Sequence, residues 1–181
     1  MEVTYALTAD DYVNHQLYLA STSDRIRSNR LRSHVIATLA LGVLALFFYL
    51  QDNIYLMFYF LFFTVICGIL FPVYSRRRYM KHYENFVREN YKDRFNELIF
   101  IKVDNNSLLT KDKISEGCIN MSEISEIVEV SSAIYLRLTT NMSLILPKQQ
   151  IARFPELRHE LLRIATQLQI PYINALGWSW K

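Results

Sequence analysis

The chain has 181 residues, a length that suits one domain or one domain with an appended element. Charged residues are 20% and hydrophobic residues 51%, near the globular average, and the formal net charge of +3 is too small to argue for nucleic-acid binding. That average hides an asymmetry: from Val35 to Tyr74 the only charge is Asp52, so two polar parts flank one apolar part.

At the N-terminus, "EVTYAL" alternates Val3, Tyr5 and Leu7 on one face and reads as a short strand. In "TADD" that follows, Thr8 is an N-cap and Asp11, three residues on, completes an acidic variant of the capping box. Asp10 and Asp11 resemble a carboxylate pair, but acids in a first helical turn are favoured by the helix dipole and need no further role. A helix from about Ala9 is expected to run through Arg25, Arg27, Arg30 and Arg32 into the apolar block. Residues 1–34 therefore form an N-terminal strand and a cytosolic helix. No secretory signal is expected, because this end is acidic and polar.

Val35–Leu50 is sixteen residues without a charge, and Ile54–Tyr74 is twenty-one. As helices these spans measure about 24 and 31 Å, and a bilayer's hydrocarbon core is about 30 Å thick. The first is short, but Ser33 and His34 bring it near the lower limit of about 17 residues. A surface helix keeps a polar stripe, and "IYLMFYFLFFTVICGILF" has none. Residues 35–74 are therefore expected to be a transmembrane hairpin of two spans, 35–50 and 54–74, turning at Gln51-Asp52-Asn53. Gly42 and Gly68 are candidates for close packing of the spans.

The hairpin is flanked on one side by the four arginines and on the other by Arg76, Arg77, Arg78 and Lys81, while the turn has no basic residue. The positive-inside rule then puts both flanks, and hence both termini, in the cytoplasm. These eight residues are topology and headgroup contacts; a specific anionic ligand is the sharper alternative. The lipid bilayer is thus an expected partner. The short first span also leaves room for a homo-oligomer, since mismatch promotes helix association.

"RRRYMKHYENFVRENY" carries Tyr79, Tyr83, Phe86 and Val87 at helical spacing, so residues 75–95 continue the second span as a juxtamembrane helix. From Asn96 the period becomes that of strands. "ELIFIKV" precedes the turn "DNNS", and "LLTKD", "ISEGCINM", "ISEIVEV", "AIYLRLTT" and "MSLILP" follow, the last ended by Pro147. Ile127 and Val130, Ile134 with Leu136 and Leu138, and Leu144 with Leu146 are the expected inward faces. Short, regularly spaced strands predict a small antiparallel barrel or sandwich. "FPELRHELLRIATQLQI" predicts an amphipathic helix with Pro155 in its first turn. Its stripe of Phe154, Leu157, Leu161, Ile164 and Leu168 would cap the barrel. Residues 96–170 form this domain and 171–181 a tail, whose Trp178 and Trp180 are expected to dock on the domain or to rest at the membrane interface.

Strands followed by one capping helix make the pleckstrin-homology-like plan, so the expected fold class is an α+β membrane protein with a transmembrane hairpin and a small antiparallel pleckstrin-homology-like domain. Ile119–Ile151 carries a more specific likeness. The "SEISEIVEV" step, the "AIYLRL" strand and "LILPK" before the last helix resemble the C-terminal domain of the YcxB-like family of bacterial membrane proteins. The order of N-terminal strand, two-span hairpin and C-terminal domain matches as well. One departure is Met121, where the family often has Trp. The resemblance implies a multi-pass protein of the bacterial inner membrane and a binding or scaffolding domain.

Nothing in the sequence points to catalysis. His15, His34, His82 and His159 are scattered, with no metal-binding spacing. Cys67 and Cys118 lie in no CxxC motif. No Gly-rich phosphate loop or GxSxG is present. Catalytic, cofactor and metal residues are accordingly expected to be none. The leading reading is a non-enzymatic membrane protein that presents a cytosolic interaction domain to an unknown protein partner. The alternative is a membrane-anchored immunity protein against a toxin acting at the membrane.

Overall fold

The computed structural model describes residues 1–104, 107–113 and 115–180. Asn105 and Asn106 of the expected "DNNS" turn, and Ile114 of "ISEGCINM", lie outside the described residues. The protein is α+β and divides into two compact units. One comprises Met1–His15 and Phe86–Ser179, the other Gln16–Asn85 with Trp180.

The first unit holds two four-stranded sheets. In one, β1 (Glu2–Ala6), β2 (Leu98–Val103), β3 (Ser107–Lys111) and β4 (Glu116–Asn120) form an antiparallel meander. Val3 lies opposite Ile101 and Tyr5 opposite Ile99. The N-terminal strand is therefore the edge of this sheet, and the chain between it and β2 is an insertion into the β unit. In the other sheet the order is β7 (Ser143–Pro147), β6 (Ala133–Leu138), β5 (Ile124–Val130) and β8 (Tyr172–Ala175). β8 lies in the segment expected to be a tail and pairs parallel with β5, so the expected all-antiparallel domain is corrected at this one edge.

The core sits on both faces of β5 and β6. Ile127, Ile134, Leu136, Leu138 and Leu146 are buried as expected, Leu144 is only half-buried, and Val130 points to the opposite face from Ile127. Val128, Tyr135 and Ile145, on the alternate face, are buried as well. A sheet covered on both faces gives continuous apolar runs in place of alternation, and "EIVEV" and "AIYLRL" are such runs. Helix α4 (Phe154–Leu168) packs on β5 through Leu157, Leu161, Ile164 and Ala165. On the other face the ring of His15 meets Tyr135 edge-on at 4.9 Å. His15 belongs to α1 (Ala9–Thr22), which opens with the expected capping box. The Thr8 amide and hydroxyl donate to Asp11 Oδ2 at 2.9 and 2.7 Å, and the Asp11 amide donates to Thr8 Oγ1 at 3.3 Å.

The second unit is built on α2 (Asp24–Leu50) and α3 (Ile54–Asn90). The single helix expected from Ala9 into the apolar block is interrupted at Ser23, whose extended backbone and side chain cap α2 by accepting from the Ile26 amide. Just before it, Ser21 and Thr22 donate their hydroxyls to the Tyr18 and Leu19 carbonyls, competing with helix continuation. Between α2 and α3 the turn falls on Gln51-Asp52-Asn53. Asp52 takes the left-handed conformation (φ 56°), and Asn53 Oδ1 accepts from the Leu56 amide at 3.2 Å. The apolar run and the basic segment after it form one helix, α3, with Pro72 inside it.

Both helices are long and apolar enough to cross a membrane, and almost none of their apolar windows is buried. They meet through rings. Phe48 stacks on Phe60 at 5.3 Å near the turn, His34 stacks on Phe71 at 5.0 Å, and Arg30 lies over Tyr79 further along. The pairs run in opposite order along the two helices, as in an antiparallel hairpin. A methyl added at Gly42 or Gly68 would meet nothing within 4 Å, so these glycines mark open space, not close packing.

Candidate functional site

The eight basic residues flanking the apolar block do not act alike. Arg25, Arg27, Arg32, Arg76, Arg77 and Lys81 are exposed and do not line the cleft described next. Arg30 on α2 and Arg78 on α3 converge on a cleft of about 340 Å³ with Phe71, Ser75, Tyr79 and His82. Arg30 comes from the polar turns before the first apolar run and Arg78 from those after the second. The antiparallel pairing of the helices brings them together.

Arg30 is held by aromatic faces. Its guanidinium carbon lies 5.6 Å from the Tyr79 ring centroid and 4.9 Å from that of Trp180. Cation–π contact orients the flat guanidinium against the two rings. Trp180 is fixed in turn: only 5% of it is exposed, and its Nε1–H donates to the Arg76 carbonyl at 3.2 Å. Trp180 therefore docks on α3, whereas Trp178 lies half-buried in the β unit, its amide bonded to the Ala175 carbonyl. The aromatic group extends to Tyr83, whose hydroxyl burial pushes above the usual phenol range, with Tyr79 adding to it. Among the described residues no carboxylate lines the cleft, and Arg78 makes no ion pair. The arrangement offers no nucleophile–base pair.

A second polar cluster lies inside the β unit and escaped the sequence reading. Glu129 on β5 is 3% exposed. It accepts from Lys148 Nζ at 2.8 Å, Arg158 Nε at 2.9 Å and the Tyr172 hydroxyl at 2.6 Å. Burial alone would raise its pKa, but the three hydrogen bonds outweigh it and hold the carboxyl down to about 2. The same contact and burial push the Tyr172 hydroxyl up. A carboxylate so fully paired is a poor proton carrier near neutral pH; it clamps α4 and β8 onto β5. The signal was available: Glu129 shares strand parity with buried Ile127.

His15 is also buried, and its Nε2 has no hydrogen-bond partner among the described residues. Burial, with Arg137 nearby, lowers its pKa to about 4, so the imidazole is neutral. His34 stacks on Phe71, and His159 lies on α4 beside Glu160 and Arg163. Cys67 and Cys118 are both free thiols. Among the described residues no group of three or more His, Cys, Asp or Glu side chains is arranged to hold a metal ion. Compared with known proteins, the chain matches no family model, no curated protein and no solved structure.

Proposed function

We propose that the protein is a non-enzymatic membrane protein in which α2 and α3 form a transmembrane hairpin and the β unit is a cytosolic, pleckstrin-homology-like interaction module of YcxB-like type. The observation that carries this reading is the exposure of the helix pair. Leu39, Val43, Phe62, Val65 and Ile69 are each more than half exposed on helices with no polar stripe. In water such a surface costs about 25 cal/mol per Å² of apolar area, which a bilayer removes. Basic residues flank both apolar runs and are absent from the turn, so on the positive-inside rule the turn would lie outside and the β unit inside.

The pleckstrin-homology-like reading draws support from the strand plan. Four antiparallel strands are followed by three more and then by one helix packed on the second sheet, with the hairpin inserted between β1 and β2. Such domains are generally binding or scaffolding modules, so a cytosolic protein partner is the expected ligand of this unit.

Cysteine labelling of intact cells tests the reading. On a Cys-free background, Asn53→Cys labels with a membrane-impermeant maleimide from outside, while Ser107→Cys labels only after permeabilisation. Labelling of Ser107→Cys in intact cells overturns the orientation, and failure of both positions until permeabilisation overturns the hairpin.

A further inference from the structure

We propose that the outer edge of β4 is a self-association surface, on which a second copy of this chain pairs its own β4 antiparallel about a two-fold axis at Cys118. β4 ends its sheet, whose order is β1-β2-β3-β4. The hydrogen-bonding parity of that sheet is fixed by the bonds at its strand ends. The Met1 amine donates to the Val103 carbonyl and the Val103 amide to the Met1 carbonyl, both at 2.7 Å. At the β2–β3 and β3–β4 junctions the Asp104 and Asp112 amides donate to the Ser107 and Ser115 carbonyls. Opposed residues of an antiparallel ladder alternate between pairs that exchange backbone bonds and pairs that do not. Carried along the register, this makes Gly117 bond to Thr110 and Ile119 to Leu108. Glu116, Cys118 and Asn120 therefore turn their N–H and C=O groups to the open side, where no described strand lies beside them.

A free edge is a template for another chain, and proteins blunt such edges with lysine, proline, a bulge or a covering loop. The opposite edge of the sheet is partly covered: the Ala6 amide of β1 donates to Gln150 Oε1 at 2.9 Å. β4 reads Glu-Gly-Cys-Ile-Asn, has neither lysine nor proline, and runs in unbroken register with β3. What fits this edge is the strand itself. Pairing about Cys118 sets Glu116 opposite Asn120 of the second copy and Cys118 opposite its counterpart, all positions with outward backbone groups, so about six N–H···O bonds close. A slip of one residue would set outward groups against inward ones. No like charges meet, because a carboxylate faces a neutral amide and is already paired with Lys111. Gly117 falls opposite the half-buried Ile119 of the second copy, small against large, at a close pair without backbone bonds. On the other face Leu109, 37% exposed, is the cross-strand neighbour of Cys118, and the two-fold axis joins Leu109 and Cys118 of both copies into one apolar row. Strands of five residues bury less than the roughly 1,200 Å² of a standard interface, so the dimer is reversible. The pairing rests on the β unit alone and does not depend on the transmembrane reading.

The test uses the full chain in neutral detergent. Under reducing conditions, sedimentation velocity is expected to show a concentration-dependent monomer–dimer equilibrium. Cys118→Lys, on an exposed side chain, sets two ammonium groups against each other at the axis and raises the dimer Kd by at least about tenfold. Ala152→Lys, exposed and outside this sheet, changes it by less than about twofold. Register is read by disulfide trapping with copper phenanthroline and oxygen, which take up the two electrons and two protons released by each thiol pair. In a Cys67→Ser background Cys118 cross-links to its counterpart, since α-carbons of such a pair lie about 5.5 Å apart, within disulfide reach. With both native cysteines replaced by serine, Glu116→Cys mixed with Asn120→Cys cross-links, and neither variant does so alone. A chain that is monomeric at every concentration overturns the proposal and leaves the edge to a strand of another protein. A dimer that Cys118→Lys leaves intact overturns it too, by placing the contact elsewhere, as does a mixed cross-link no stronger than those of the separate variants.

Discussion

The two units spend apolar residues in opposite ways. In the β unit, Ile127, Val128, Ile134, Leu136 and Leu161 are sealed between strands and α4, and the polar groups taken in with them are mostly paired. In the helix pair, residues as apolar as these stand open, and among the described residues of α2 and of α3 up to Asn85 buried side chains are few: Ala45 in α2, Ser75 and Trp180 about α3. Both helices satisfy their backbone groups internally, so they need no sheet partner, only a medium. An apolar surface is informative when it belongs to a helix that could have been amphipathic and is not.

The contrast is broken most directly by cutting matched side chains. Leu136 is fully buried, and Leu136→Ala is expected to destabilise the β unit by about 2–5 kcal/mol through lost transfer energy and a cavity. Leu39 is 61% exposed, and Leu39→Ala is expected to cost less than about 0.5 kcal/mol in detergent micelles. Denaturant titration of the full chain, followed by a β-unit probe and a helix probe, reads both. Equal effects would mean that the helix surface is covered by protein.

A second difference is acid sensitivity, which should be confined to the β unit. His15 is held neutral with a pKa of about 4 against an ordinary 6.5. Its folded pKa is depressed, so the unfolded state binds the proton first, and stability falls as pH drops from about 6.5 toward 4. The loss amounts to about 3 kcal/mol once both pKa values are passed. Glu129, held down to about 2 from 4.5, adds a loss of the same sign that begins below about 4.5. His15→Leu should remove the upper part of the profile and leave the lower part. A melting profile of His15→Leu that still declines between pH 6.5 and 4.5 would assign the loss to another group.

The clamp at Glu129 comes next in size. Glu129→Gln keeps shape and some hydrogen bonds but leaves Lys148 and Arg158 without their anion. Lys148 is 16% exposed and Arg158 41%, so both can turn toward water, and the expected cost is about 2 kcal/mol. Because Tyr172 also bonds this carboxylate, loss of amide protection should be largest in β8. Uniform loss over the unit would show that the cluster does not hold that edge.

What the sequence made legible follows the range of the forces. The turn at Gln51-Asp52-Asn53, the capping box at Thr8 and the stripe on α4 are set by neighbours a few residues apart, and all could be located in advance. Pairing of β1 with β2 joins segments separated by the whole helical insertion, and no local pattern encodes it. β8 is only four residues long, with mixed burial on both faces, too short to show a period. The basic flanks were legible as a set of eight. That Arg30 and Arg78 line one cleft depends on how α2 and α3 pair, which rests on ring contacts such as Phe48 on Phe60.

The smallest expected effect compares caps in the two units. Thr8 and Asp11 exchange three hydrogen bonds at the start of α1, and Asn53 accepts one from the Leu56 amide at the start of α3. Loss of an N-cap side chain costs about 1 kcal/mol in a water-exposed helix, because an amide loses its partner. Thr8→Ala should show this cost. Asn53→Ala should show less in detergent, since the turn retains the backbone bonds from Asn53 to the Phe48 carbonyl and from Asp52 to the Tyr49 carbonyl, and water reaches the exposed amide. Thermal melts of the two variants measure the difference. If Asn53→Ala costs as much as Thr8→Ala, the turn depends on its side chain, and the helix pair is held at its tip as well as along its rings.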